Sequence, residues 1–278
     1  MSDFRELKNS EIDTLIKSVC IQFNQKSNNI YYPMDCLFSE RMFNFKYKEV
    51  QLEQILTKKN ISNDKMIDYI FSIGNDNKKD TENCDIINEE ICLQESIINR
   101  TKTAFRTICE LKKKKKENSN TSIYLICPVL VELERSNDLL KKIPQKTTIM
   151  NSDKKVNHFI LIIIDPIHKI FYFMDSMNIQ YILDLWTIII NDWLECDKFK
   201  ETIGSFSNSE LTQQEWTRIS FDDNIIHQQS NNLCSFYILL YTTLFCKGIN
   251  IDSIINNEYC NDEYVQRIFC KKVINKLD

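Results

Sequence analysis

The stretch from Asn157 to Met177 constrains the fold more than any other part of this chain. Two apolar runs, Phe159–Ile164 and Lys169–Met174, flank the turn-forming pair Asp165-Pro166. This pattern predicts a β-hairpin. Because neither run alternates between apolar and polar residues, we expect the hairpin to be buried on both faces and to lie centrally in its sheet.

The two ends of this hairpin carry a histidine and a carboxylate. If the turn is symmetric about Asp165 to His168, His158 lies directly opposite Asp175. Cross-strand partners project from the same face, with Cβ atoms about 4.5–5.5 Å apart. A carboxylate at that distance can fix the tautomer of an imidazole and stabilise its cation, as catalysis by a histidine requires. Each of the two residues, taken alone, also has a purely structural interpretation.

Cys234 is the candidate nucleophile. It precedes an apolar helical pattern from Ser235 to Cys246, so its thiol is expected at the N-terminus of a buried helix. A helix N-terminus and an adjacent imidazolium both favour the thiolate. The other cysteines are interpreted as small buried hydrophobic side chains. They are Cys20, Cys36, Cys84, Cys109, Cys127, Cys196, Cys246, Cys260 and Cys270.

Gln228 stands six residues before Cys234. Its side-chain amide, together with the backbone N–H of Cys234, can receive the oxyanion that forms when a thiol adds to a carbonyl. Taken alone, Gln228 has the alternative interpretation of a surface polar residue.

In order and spacing, His158, Asp175, Gln228 and Cys234 resemble the catalytic residues of the Ulp/SENP family of ubiquitin-like-modifier proteases, which is related to the adenoviral proteases. The resemblance covers residues 85–278. It implies an α+β, papain-like cysteine protease fold of the Ulp/adenain type, with a central mixed sheet packed by helices. Residues 1–84 lie outside it and are expected to form a helical N-terminal extension with a polar linker.

The resemblance also implies substrate-binding positions. Phe159 stands where the family has a Trp after its His, and Cys92 and Glu95 stand where its opening helix has Trp and Asp. Because the two family tryptophans sandwich the Gly-Gly tail of the modifier, the tunnel in this chain is expected to be wider and less selective.

The residues around the nucleophile depart from the family too. The family motif Asp-Cys-Gly is here Leu233-Cys234-Ser235. Asn231 is expected to replace a glycine in the preceding turn, because asparagine tolerates positive φ. Ser235 is expected to be strained if its position requires positive φ.

The other elements follow from apolar periodicity and its interruptions. The sequence predicts helices beginning near Ser10 and Ser62, helices over Ile86–Leu111, Ile179–Leu194 and Ser235–Cys246, and a short strand Ile123–Ile126 stopped by Pro128. The helix from Ser62 is expected to end at Gly74, and that from Ser235 near Gly248.

Composition excludes several functional classes. The chain has only 3 glycines, none clustered, so glycine-rich phosphate loops are ruled out. A net charge of −4 gives no nucleic-acid signature, no apolar run is long enough to span a membrane, and no cysteine–histidine spacing favours zinc. The 11 cysteines are an odd number, and the N-terminus shows no apolar signal region. We therefore expect free thiols in a reducing compartment, the nucleus or the cytoplasm.

The function implied is that of a cysteine protease or isopeptidase with a His-Asp-Cys triad. Its partner is SUMO or another ubiquitin-like protein and its conjugates, which it cleaves after the C-terminal glycine in precursor processing or deconjugation. It needs no metal or cofactor and is expected to be a monomer. Two alternatives stay open: a protease of the same fold that cuts ordinary polypeptide or polyprotein sites, and a catalytically degenerate module that binds the modifier.

Overall fold

The structure is a computed structural model, and it describes residues 7–58, 81–114, 121–132, 157–195, 216–221, 225–228 and 232–275. Helices and strands alternate along this part of the chain. In order they are α1 (Asn9–Asn24), β1 (Ile30–Pro33), α2 (Cys36–Lys58), α3 (Thr81–Lys114), β2 (Ile123–Glu132), β3 (Asn157–Asp165), β4 (Ile170–Met174), α4 (Gln180–Glu195), β5 (Thr217–Ser220), α5 (Cys234–Cys246), α6 (Ile251–Ile255) and α7 (262–274), whose middle turn is π-helical.

The five strands form one mixed sheet in the order β1-β2-β3-β4-β5. β1 is parallel to β2 and β4 to β5, whereas β3 is antiparallel to both of its neighbours, β2 and β4. The predicted hairpin is β3 and β4, and β3 is the central strand. The predicted α+β architecture, a central mixed sheet packed by helices, is confirmed.

Alternating side chains of β3 explain why this strand is apolar throughout. Ile160, Ile162 and Ile164 belong to a core on one face with α2, α3 and α4. Leu161 and Ile163 belong to a second core on the other face, with α1, α5, α6 and α7. A strand with helices on both faces cannot alternate apolar with polar residues, because each face is removed from water.

The helix α5 lies within the second core and is apolar all round. All of its residues except Thr243 are buried. The N-terminal helix α1 contributes Ile12, Ile16 and Cys20 to the same core. Burial of this kind stabilises by about 25 cal/mol per Å² of apolar surface removed from water, so α1 and α5 stabilise each other.

The N-terminal segment therefore differs from the expected helical extension. Its described part contains β1, which pairs with β2 and so belongs to the central sheet. The boundary placed between residues 84 and 85 falls inside the continuous helix α3. A strand of four residues that ends in Pro33 has too short a pattern to be recognised, and its partner lies about ninety residues away in sequence. How the chain divides into folding units stays a prediction.

Pro128 does not stop β2, which continues to Glu132. The carbonyl of Ile126 faces β1, because it accepts the N–H of Met34. Pro128 is two residues further on, so its nitrogen also points away from β3. The pairing with β1 ends at Ile126, so the absent N–H costs no ladder hydrogen bond. The carbonyl of Pro128 accepts instead from the hydroxyl of Ser39.

The predicted helix boundaries agree with the structure more closely than the predicted strand boundaries do. The helices expected over Ile179–Leu194 and Ser235–Cys246 each differ from α4 and α5 by one residue, and Gly248 adopts φ +82° just after α5. The helix expected to begin near Ser10 is α1, which begins one residue earlier, and there the side chain of Glu11 accepts the N–H of Lys8. The helix expected between Ser62 and Gly74 lies outside the described residues. None of the described helices is long and apolar enough to cross a membrane.

Candidate active site

The register of the hairpin differs from the symmetric one. The last pair before the turn is Asp165 with Ile170, whereas symmetry about Asp165 to His168 pairs Ile164 with Lys169. Asp165 Oδ1 accepts the N–H groups of Ile167 and His168, and Lys169 takes positive φ of 53°. The prediction that His158 lies directly opposite Asp175 is therefore wrong, and the register differs from the predicted one by two residues. A shift of two preserves the face on which a side chain lies, so the expected shared face survives.

The imidazole of His158 and the carboxylate of Asp175 form a buried ion pair. Nε2 of His158 lies 2.6 Å from Oδ1 of Asp175, and the two side chains are 2% and 0% exposed. The carboxylate also accepts the backbone N–H groups of Met177 at 2.8 Å and Ile179 at 2.9 Å. Burial alone would raise the pKa of Asp175, but His158 and these N–H groups hold it below its ordinary value.

Cys234 begins α5, and its thiol is one of the groups that act on the imidazole of His158. Burial alone would lower the pKa of His158, but the charge and hydrogen bond of Asp175, with a smaller effect of Cys234, raise it to about 10. The ring is therefore cationic at neutral pH. Since Nε2 of His158 faces Asp175, Nδ1 is the nitrogen left for the thiol.

The environments of other cysteines suit an unreactive role. Burial raises the pKa of the Cys127, Cys260 and Cys270 thiols, the latter two to about 12. The pKa of the Cys36 thiol is raised by burial and by Asp13, and that of Cys246 by a hydrogen bond with Cys20 and by burial. A thiol held in its neutral form is a poor nucleophile. Cys196 lies outside the described residues, and so does the side chain of Cys84.

Gln228 is buried, with 5% of its surface exposed. Its Oε1 accepts a hydrogen bond of 2.7 Å from the hydroxyl of Ser176. The backbone N–H groups of His227 and Gln228 both bond to the carbonyl of Ser176, at 3.0 and 2.9 Å. The segment 225–228 is thereby attached directly after Asp175, so Gln228 is not a free surface residue.

The backbone two residues before the nucleophile has positive φ, whereas the expectation of positive φ at Asn231 stays a prediction. Asn232 adopts φ 66°, whereas Asn231 lies outside the described residues. Ser235 has no positive φ, so the serine in place of the family's glycine carries no strain of that kind. Its hydroxyl is buried without a hydrogen-bond partner.

The three residues expected to bind substrate occupy two different places. Phe159 is 2% exposed and packs in the same core as Leu233 and Cys234, so little of its ring is available to a substrate. Cys92 and Glu95 are exposed on α3 and line a groove of about 650 Å³. Tyr32, Asp35, Arg41 and Arg100 also line this groove, whereas His158, Asp175, Gln228 and Cys234 do not. The groove thus adjoins the ends of β1 and α2 instead of the thiol.

Sequence reasoning missed two residues that hold the site together. Ser176 contacts Gln228 through both its carbonyl and its hydroxyl. The ring of His227 bonds to the hydroxyl of Tyr241 at 2.7 Å and to the carbonyl of Ile255 at 3.0 Å. His227 directly precedes Gln228, and Ser176 follows Asp175 in a dipeptide that resembles the Asp-Ser of the Ulp/SENP family. These were the signals in the sequence that pointed to the two residues.

The sequence matches no protein-family model and no curated protein. Among solved structures, the chain is similar to the SUMO protease Ulp1 with its catalytic cysteine oxidised to a sulfenic acid, at 12% identity and a TM-score of 0.45 over 99% of this chain and 80% of that one. It is also similar to the C-terminal Ulp1 protease domain in complex with Smt3, the yeast ortholog of SUMO, at 13% identity and a TM-score of 0.42 over 99% and 80%. A third is the Rickettsia bellii effector protein RickCE, at 13% identity and a TM-score of 0.32 over 98% of both chains.

Proposed function

We propose that this protein is a cysteine peptidase whose nucleophile is Cys234. The observation that carries the proposal is the position of His158, whose Nε2 lies 2.6 Å from the buried carboxylate of Asp175 and whose pKa is raised by Asp175 and by the buried thiol of Cys234. A degenerate binding module has no need to keep a thiol, an imidazole and a carboxylate together inside a buried site. The geometry therefore supports turnover over binding alone.

The proposed reaction proceeds through a covalent thioester. The thiolate of Cys234 attacks the carbonyl carbon of the scissile amide, and the resulting oxyanion is stabilised by the backbone N–H of Cys234 and the amide of Gln228. The imidazolium of His158 gives its proton to the leaving amine as the C–N bond breaks. His158 then takes a proton from water, whose oxygen attacks the thioester, and Cys234 leaves as the thiolate. Asp175 keeps the ring oriented and stabilises its charge in both steps.

We propose the C-terminal tail of SUMO or of another ubiquitin-like protein as the substrate, cleaved after its terminal glycine. The support is the order and spacing of His158, Asp175, Gln228 and Cys234, which resemble those of the Ulp/SENP proteases. The activity belongs in a reducing compartment such as the nucleus or the cytoplasm, because a thiol that is oxidised cannot attack a carbonyl.

The test uses C-terminal vinyl-sulfone probes of SUMO and ubiquitin. We expect the wild-type protein to form a covalent adduct with a modifier probe and the Cys234→Ala variant to form none. The matched control is Cys109→Ala, which removes a partly exposed thiol on the outside of α3. Labelling that persists in Cys234→Ala, or that disappears in Cys109→Ala, contradicts Cys234 as the nucleophile.

An ordinary polypeptide is the second candidate substrate, and the burial of Phe159 favours it. A side chain that is 2% exposed cannot form one wall of a narrow tunnel around a Gly-Gly tail. Comparing kcat/KM on a full-length modifier with kcat/KM on its isolated tail peptide separates the two candidates. A modifier-directed enzyme loses most of its activity on the peptide, because the remote binding energy is gone, whereas a general peptidase loses little.

A further inference from the structure

Ser176 contacts Gln228 through both its backbone and its side chain. At the backbone, the Ser176 carbonyl accepts the N–H groups of His227 and Gln228 at 3.0 and 2.9 Å. At the side chain, the Ser176 hydroxyl donates to Oε1 of Gln228 at 2.7 Å. Ser176 and Gln228 are 1% and 5% exposed, so bulk water does not compete for these bonds.

In the structure the amide of Gln228 lies with its oxygen against the hydroxyl of Ser176. The oxygen and nitrogen of a planar amide lie on opposite arms, so this contact directs the Nε2 donors away from Ser176. The terminal torsion of a glutamine is broad and roughly two-fold. Loss of the hydroxyl removes a bond that favours this orientation, and rotation by half a turn presents the carbonyl, which repels an oxyanion instead of stabilising it.

The backbone of the same segment is fixed from the opposite side. Because the carbonyl of Ile255 can only accept, Nε2 of His227 carries the proton and its Nδ1 accepts from the hydroxyl of Tyr241. The hydroxyl of Tyr237 lies 2.8 Å from the carbonyl of His227. With the main chain held in this way, the side-chain torsions are what remains to be set in Gln228.

We propose that Ser176 is a positioning residue that fixes the side-chain amide of Gln228 as a hydrogen-bond donor to the oxyanion. This inference rests on the proposed peptidase function. One dipeptide, Asp175-Ser176, then serves both halves of the chemistry, since Asp175 orients the imidazole and Ser176 orients the oxyanion donor.

The experiment is a double-mutant cycle on Ser176→Ala and Gln228→Ala, measured with a modifier carrying a fluorogenic amide at its C-terminal glycine. We expect Gln228→Ala to lower kcat by about 10²-fold, the order found when one oxyanion donor is removed, and Ser176→Ala by about 10-fold. KM should change less than about twofold, because the contact strengthens only in the transition state. The double variant should be no slower than Gln228→Ala alone, since Ser176 acts through Gln228.

Two controls separate positioning from a general structural role. The rate of Cys234 alkylation by iodoacetamide involves no oxyanion, so Ser176→Ala should leave it unchanged. Ser39→Ala also removes a buried hydroxyl, one that bonds to the carbonyls of Cys36 and Pro128, and should leave kcat unchanged.

The possible failures are distinguishable. Losses that multiply in the double variant, or a fall in alkylation rate that matches the fall in kcat of Ser176→Ala, overturn the role of Ser176 while the peptidase function stands. Absence of Cys234-dependent turnover in the wild-type protein overturns the peptidase function, and the role of Ser176 with it.

Discussion

The hairpin carries two histidine–aspartate pairs, one at each end. At the open end, His158 and Asp175 are 2.6 Å apart and 2% and 0% exposed. At the turn, His168 and Asp165 are 2.7 Å apart, but the His168 side chain is 55% exposed. The residue types and the distances are nearly the same, so neither distinguishes the two pairs.

What differs is the surroundings of each imidazole. The ring of His158 is removed from water and has a thiol as its second neighbour. The ring of His168 faces solvent, whereas the carboxylates of both pairs accept two backbone N–H groups each and are alike in this respect. Electrostatic interactions are several times stronger in a desolvated site than at the surface. A histidine–carboxylate pair is therefore a catalytic candidate when its imidazole is buried and has a third functional group, here a thiol, beside it. The pair alone does not make it one.

Substituting each histidine in turn should change activity very differently, and this is the largest difference that we expect. His158→Gln should lower kcat/KM on the fluorogenic modifier amide by at least about 10³-fold, because the thiolate loses its cationic partner and the leaving amine its acid. His168→Gln should stay within about twofold of the wild-type protein. Equal losses in the two variants would mean that the buried pair has no special role in the chemistry.

Much of this contrast could be predicted from the sequence. The unbroken apolar runs of the hairpin indicated a central strand covered on both faces, and a period of two placed His158 and Asp175 on one face. That inference survived the wrong register because the error was an even number of residues. The register itself depends on an Asx-type turn at Asp165 and on positive φ at Lys169, and lysine gives no sign of adopting that conformation.

The contacts that complete the site could not be predicted, because they join segments that are far apart in sequence. The hydroxyl of Ser176 reaches Gln228 across 52 positions. The groove beside Cys92 and Glu95 is lined in part by β1 and α2, which belong to the segment interpreted as an extension. Tertiary packing decides such contacts, and local patterns carry no information about it.

The pH dependence of stability should also reveal the cation of the buried histidine, His158. In the Cys234→Ala background the thiol is absent, and Asp175 still stabilises the cation of His158. A pKa raised above its unfolded value of 6.5 contributes stability that is fully present below pH 6.5 and is lost as pH rises through the folded value.

Urea denaturation between pH 6 and 7.5 measures this dependence, because the buried thiols whose pKa values are also raised still hold their protons in the unfolded chain over this range. The free energy of unfolding should fall with rising pH above 6.5 by up to about 1.4 kcal/mol per pH unit, since the folded protein holds a proton that the unfolded chain has released. Adding His158→Gln in the same background should remove this slope. A slope that is absent before the substitution, or unchanged after it, shows that His158 is not held as a cation.

Substitutions at Asp165, in the pair at the turn, should have the smallest effect. They test whether the two ends of the hairpin are independent. Asp165→Ala removes the acceptor of two turn N–H groups and should lower the free energy of unfolding by about 1 kcal/mol, as loss of a cap does. Asp165→Asn keeps an acceptor oxygen and loses only the attraction to an exposed ring, so its cost should be at most about 0.5 kcal/mol. Neither variant should change kcat/KM, because the register of β3 and β4 is also held by packing in both cores. If Asp165→Ala loses turnover at a temperature where the protein stays folded, the turn sets the position of His158. The two ends of the hairpin would then be coupled instead of independent.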